Sequence, residues 1–180
     1  MKERLVEDWL TRINERGYQH AFAQLLTSQG YQVLKVSHSP YEHGKDVIAI
    51  APTGAVHAYQ LKGGNVSLAD YEAIQPQVTT LVETLPEHPS LSDQFEYRPA
   101  LVTTGNYSDP VIDRVQKFNK SWKARSYPPL KLINGRELLA GFSALSEDFW
   151  PTNPPDIRSF RALYLAVSYT HLRAHETNSN

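Results

Sequence analysis

The sequence predicts an α/β domain: a mixed β-sheet flanked by helices, with an α-β-β-β-α-β core. Two observations carry this. First, two β-prone apolar runs, Val47–Ile50 and Val56–Leu61, flank Pro52-Thr53-Gly54 and read as a hairpin. Second, stretches of helical period alternate with short apolar runs on both sides of that hairpin. The chain has 180 residues, 41% hydrophobic and 21% charged, so it is long enough for one domain with a real core.

Each element follows from local signals. Leu5, Val6, Trp9, Leu10 and Ile13 fall at helical spacing, which predicts a helix over 2–15, broken near Gly17. A second helix runs through Tyr18, Phe22, Leu25 and Leu26 and stops at Gly30. Tyr31 to Val36 alternates as a first strand, and Ser37 to Lys45 is a polar loop before the hairpin. Ser67-Leu68-Ala69-Asp70 resembles a capping box, so a helix starts there and runs to about Leu85. Pro76 inside it predicts a kink, or two helices meeting. Pro99 to Thr104 is a buried strand. Ser108 or Asp109 caps a helix with Pro110 in its first turn, ending near Lys120. Leu130 to Ile133 is a last short strand, and Asn134-Gly135 turns into a helix over 136–145. The first three strands form an antiparallel meander; the later ones return through helices.

Composition narrows the chemistry. There is no Cys, which excludes a disulfide framework, a thiolate metal site and a Cys nucleophile. No apolar run approaches the roughly 20 residues that span a membrane, and the start is charged and helical rather than signal-like, so the expected location is cytoplasmic. Net charge is −1, so any nucleic-acid contact must come from a local patch. No phosphate-cradling GxxxxGK[ST] loop and no HExxH zinc spacing occurs. His38, His43 and His57 lie near the hairpin and are read as structural.

Residues Val167 to Thr177, VSYTHLRAHET, match a common sequencing adapter translated in one frame. They are set aside, with residues 167–180 read as a non-native tail. The natural protein is expected to continue past Ala166. Trp150 to Pro155 is rich in proline, and 147–166 reads as a linker into a missing C-terminal region.

The hairpin concentrates the polar groups. With a register centred on Thr53, Asp46 lies opposite Gln60, and Lys62 shares a face with Gln60 two residues on. An acid, an amide and an amine then converge at the mouth of an otherwise apolar hairpin.

The order helix, strand, Gly44-Lys45-Asp46, hairpin, Gln60-Leu61-Lys62, helix, strand resembles the PD-(D/E)XK nuclease superfamily. More narrowly it resembles the Mrr-like branch of restriction endonucleases, over about residues 15–145, which sets the domain at 1–146. The resemblance implies a restriction-endonuclease-like fold and a metal-dependent DNA endonuclease, part of a restriction or phage-defence protein. It implies Mg²⁺ or Mn²⁺ as cofactor, with Asp46 as carboxylate ligand. Gln60 can add its amide oxygen, and Leu61 its backbone carbonyl. Lys62 orients the attacking water, acts as base, or stabilises charge on the phosphorane. Members often carry a Glu on the first helix; here Gln19 stands at that place, with Glu15 about one turn earlier. Glu42 is read either as a ligand or as a solvated loop acid.

From Arg114 to Arg136 there are seven basic residues and no acid, with Phe118, Trp122 and Tyr127 interleaved. Lys117, Lys120, Lys123 and Arg125 are the candidate contacts to double-stranded DNA, with Gly63 and Gly64 letting a phosphate backbone approach closely. A homodimer is a further partner this reading admits. Two rival readings are a catalytically inactive nuclease-like module that binds DNA or a partner, and a junction resolvase-like nuclease.

Overall fold

The computed structural model describes residues 2–36 and 45–145. Met1–Ala144 form one compact unit, and a second begins at Leu145. The loop containing Glu42, the linker at 147–166 and the tail at 167–180 lie outside the described residues.

The chain opens with α1 (Lys2–Arg12) and α2 (Glu15–Ser28). The break falls at Ile13-Asn14, not at Gly17. Asn14 adopts an extended conformation (φ −84°, ψ 172°), and its side chain accepts the Gly17 N–H at 2.8 Å. This caps α2 and makes Glu15 its first residue rather than the last of α1. Next come β1 (Gln32–Val36), β2 (Val47–Ile50) and β3 (Val56–Lys62). They are followed by α3 (Leu68–Glu83), β4 (Tyr97–Thr103), α4 (Asp109–Ala124), β5 (Lys131–Ile133) and α5 (Gly135–Ala144).

The five strands form one mixed sheet in the order β1-β2-β3-β4-β5. β1, β2 and β3 pair antiparallel, and β3, β4 and β5 pair parallel. Val47 pairs with Tyr59 and Ile48 with Ala58, the register centred on Thr53. On the outer strand the register shifts between Val33 and Lys35, a β-bulge.

Because side chains alternate across the sheet, β3 feeds two cores. Tyr59 faces α2, meeting Phe22 edge-on with ring centroids 5.0 Å apart. α5 joins this layer, with Gly141 against Leu25 and Phe142 against Trp9 of α1. Val56 and Ala58 face the other way, into a buried cluster with Tyr71, Val78 and Leu81 of α3 and Val111, Val115 and Trp122 of α4.

Boundaries depart from expectation where packing overrides a local signal. α3 is one continuous helix through Pro76, started by the full Ser67/Asp70 capping box. The Ser67 side chain and backbone N–H hold the exposed Asp70 carboxyl below its ordinary range. α4 runs past Lys120 to Ala124, because Trp122 continues the buried stripe of Val111 and Val115. It stops where Ser126 turns left-handed at φ 63°. β4 starts at Tyr97, two residues before Pro99.

Three loops meet where the parallel strands end. A β-carbon on Gly135 would lie 2.1 Å from the Thr104 carbonyl oxygen, and one on Gly105 would lie 2.4 Å from the Gly64 carbonyl carbon. Backbone cannot swing aside as a side chain does. Gly135→Ala is therefore expected to cost about 1–3 kcal/mol. A lower urea midpoint at unchanged slope would show it.

Candidate functional site

The site is built on the last two residues of β3, Leu61 and Lys62, and on Asp46 just before β2. Asp46 gives its backbone N–H to the Tyr59 carbonyl at 2.8 Å. Its carboxylate Oδ2 accepts the Leu61 N–H at 2.7 Å. A side chain thus ends the β2–β3 ladder where the chain leaves the sheet.

α2 meets this strand end from the side. Lys62 Nζ lies 3.4 Å from both oxygens of Glu15. Tyr18, one turn along, donates its hydroxyl to the Lys62 carbonyl at 3.0 Å. Burial, then the negative charge of Glu15, push that phenol well above its ordinary value, so it remains a neutral donor. Gln19 is 1% exposed, and its Nε2 donates to the Asp46 carbonyl at 3.0 Å. The helix acid beside Lys62 is therefore Glu15, while Gln19 binds the backbone of the Asp46 segment.

Gln60 is also buried. Its Nε2 donates to Gln77 of α3 at 2.6 Å, and its Oε1 has no hydrogen-bond partner among the described residues. An orphaned buried carbonyl is costly unless something completes it. Together with the Asp46 carboxylate it offers hard oxygen donors, which fit Mg²⁺ or Mn²⁺. No group of three His, Cys, Asp or Glu that could hold a metal occurs among the described residues. Any cation held here would keep several waters, as Mg²⁺ commonly does.

No protein-family model matches the chain, and no curated protein matches it. Among solved structures, the MspJI restriction endonuclease in complex with a 27-mer oligonucleotide is similar. The match covers 68% of this chain at 20% sequence identity and a TM-score of 0.36. It covers only 25% of the MspJI chain. The fold described above rests on strand order and register, and the likeness assigns no activity.

The candidate residues divide into two sets in space. Asp46, Leu61 and Lys62 meet Glu15 and Gln19 of α2 at the carboxyl end of β3, whereas the Gln60 side chain reaches Gln77 of α3; Gly63 and Gly64 follow directly, Gly64 at φ +73°. α4 instead runs back along the sheet, antiparallel to β4. Lys117, Lys120 and Lys123 are exposed, and Lys120, Lys123 and Arg125 lie at the opposite end of the sheet. Seven strand residues separate the two ends, roughly 20 Å. Two of the basic residues are also paired, Arg114 with Glu72 at 3.0 Å and Arg125 with Glu83 at 2.7 Å.

Sequence alone marks Tyr18 only as a residue of the second helix and does not single out Gln77. Tyr18 sits three residues after Glu15, a spacing that shares a helix face, and that was its one available signal. His57 belongs to the aromatic packing, stacked on Tyr59 with centroids 5.8 Å apart. Burial, with Arg98 and Lys131 nearby, holds its pKa below the ordinary value.

No described helix is long and apolar enough to cross a membrane.

Proposed function

We propose that the chain is a Mg²⁺-dependent DNA endonuclease domain of the Mrr-like PD-(D/E)XK type. The observation that carries this reading is the gathering of Asp46, Lys62 and Glu15 around the end of one strand. Asp46 is fixed by the Leu61 amide, and Lys62 lies 3.4 Å from Glu15.

Asp46 and the Gln60 amide oxygen would hold the cation, with Glu15 beside them. When bound, the cation supplies charge at the scissile phosphate and a more acidic water. Lys62 places a cation where negative charge develops on the phosphoryl oxygens. Its side chain is 22% exposed and that of Glu15 is 46% exposed. Such a pair is worth at most about 1 kcal/mol, so a phosphate can displace Glu15 from Lys62. Tyr18 anchors the Lys62 backbone, and Gln19 anchors that of Asp46. Near the cut, phosphates would meet Lys62 and the Gly63-Gly64 backbone. The α4 lysines would meet a part of the duplex about 20 Å away.

The test is plasmid cleavage with Mg²⁺, with Mn²⁺ and with chelator. Wild type should nick or linearise DNA only with metal. Asp46→Asn keeps an oxygen for the Leu61 amide but loses the charge, so it should fold normally and not cut. Equal cleavage by Asp46→Asn would defeat the reading. Salt-sensitive DNA binding without cleavage by wild type would favour the inactive binding module instead.

A further inference from the structure

A second feature lies beside the proposed centre. A cleft of about 420 Å³ opens where β3, β4 and β5 end. Its origin is topological. The chain leaves β4 for α4 on one face of the sheet and leaves β5 for α5 on the other. Diverging connections at the carboxyl ends of parallel strands leave a crevice, the place where open α/β sheets take ligands. α1 closes its outer side.

The lining is mixed in a specific way. Leu10 of α1 and Leu139 of α5 supply apolar wall. Asn65 and Asn106 supply amides, and the Asn65 Oδ1 is already taken by the Asn106 N–H at 2.9 Å. Arg136 is exposed and makes no ion pair among the described residues. Glu7 adds an acceptor at the α1 side. The volume falls in the range of small-molecule sites, roughly 300–1,000 Å³. Apolar walls for a ring, amides and a carboxylate for its polar edge, and a guanidinium for an anion together describe one nucleotide.

Position supplies the rest. Gly64 lines the cleft and lies two residues beyond Lys62, roughly 7 Å along the strand direction. We infer that the cleft takes one unstacked nucleotide of a nucleic-acid strand, next to the phosphate held at Lys62. The choice of a nucleic-acid strand rests on the nuclease reading. Extruding a base from a duplex costs a few kcal/mol, least where it is mismatched or unpaired. The enzyme should therefore favour single-stranded or mismatched positions.

The experiment measures binding, without metal and without cleavage. The probe is a short single-stranded oligonucleotide carrying 2-aminopurine, whose fluorescence reports unstacking. It is titrated into the full chain, beside free deoxynucleoside monophosphates and the paired duplex. Wild type should bind the single strand with a change in 2-aminopurine emission. Leu139→Trp, which fills the cleft, should weaken that binding roughly tenfold or more and abolish the emission change. Arg136→Glu lies on an exposed position and should fold if Leu139→Trp does not. It should weaken binding and reduce the salt slope by about one or more. Tight binding of the free monophosphates, with no preference for the strand, would overturn the polymer assignment. Wild-type emission change and affinity in both variants, or no emission change in wild type, would overturn the cleft itself. Because no cleavage is read, that failure leaves the plasmid result standing. Conversely, loss of the nuclease reading would appear in the cleavage assays and not in this binding measurement.

Discussion

Lys62→Ala is expected to reduce Mg²⁺-dependent DNA cleavage by about 10²–10³-fold, the usual cost of removing one preorganised group from a developing anion. Among the described residues, the Lys62 amine meets the Glu15 carboxylate and its carbonyl meets the Tyr18 hydroxyl, neither of them cationic. Folding should hardly change. The pair with Glu15 is partly exposed and 3.4 Å long, so its loss costs no more than about 1 kcal/mol. The Tyr18 bond goes to the Lys62 backbone and survives the substitution. Lys62→Arg should recover little, because a planar fork does not replace a compact ammonium at a site fixed by one carbonyl bond. The decisive comparison is single-turnover cleavage beside a urea melt. A variant that melts like wild type and still cuts at the wild-type rate removes Lys62 from the mechanism.

The largest expected loss of stability comes from Trp122→Ala, about 3–5 kcal/mol. Trp122 is 1% exposed and stacks on Phe118 with ring centroids 5.3 Å apart. Its indole N–H reaches Glu83 at the end of α3, at 2.9 Å. Truncation leaves a cavity between α3, α4 and the sheet, and strips one donor from Glu83. Arg125 still holds that carboxylate at 2.7 Å, so the electrostatic part of the loss is small. A domain of this size has roughly 5–15 kcal/mol in total, so the variant should be near the edge of folding at 37 °C. Trp122→Phe keeps most of the ring and should cost less than half as much. Equal midpoints for the two variants would show that the hydrogen bond, not packing, dominates.

The sequence made the hairpin legible because its signals are local. Pro52 and Gly54 set the turn, the flanking runs set the faces, and the register follows. Counting along two strands put Asp46 opposite Gln60 and Lys62 on the same face as Gln60; in the structure Gln60 reaches Gln77 of α3 and Lys62 reaches Glu15 of α2. The α1–α2 break was harder to see, because Ile13 continues the apolar period and Gly17 is the more obvious breaker than Asn14. That error moved Glu15 to the wrong helix and hid its alignment with Tyr18. The contacts of Tyr18 and Gln19 were not legible at all. Each reaches a backbone carbonyl more than 25 residues away, and no side-chain pattern reports the position of a distant carbonyl. The place of the basic run was not legible for a related reason. Contiguity from Arg114 to Arg136 says nothing about which end of the sheet a returning helix reaches.

The bulge between Val33 and Lys35 has a consequence beyond geometry. Among the described residues β1 is an outer strand, and an open outer strand is a template on which another chain can build. The shift in register bends that edge and breaks the even spacing a new strand would need. At the far side, β5 offers only three residues, too few for a stable partner. The sheet therefore carries its own guards against fibrous growth at both margins.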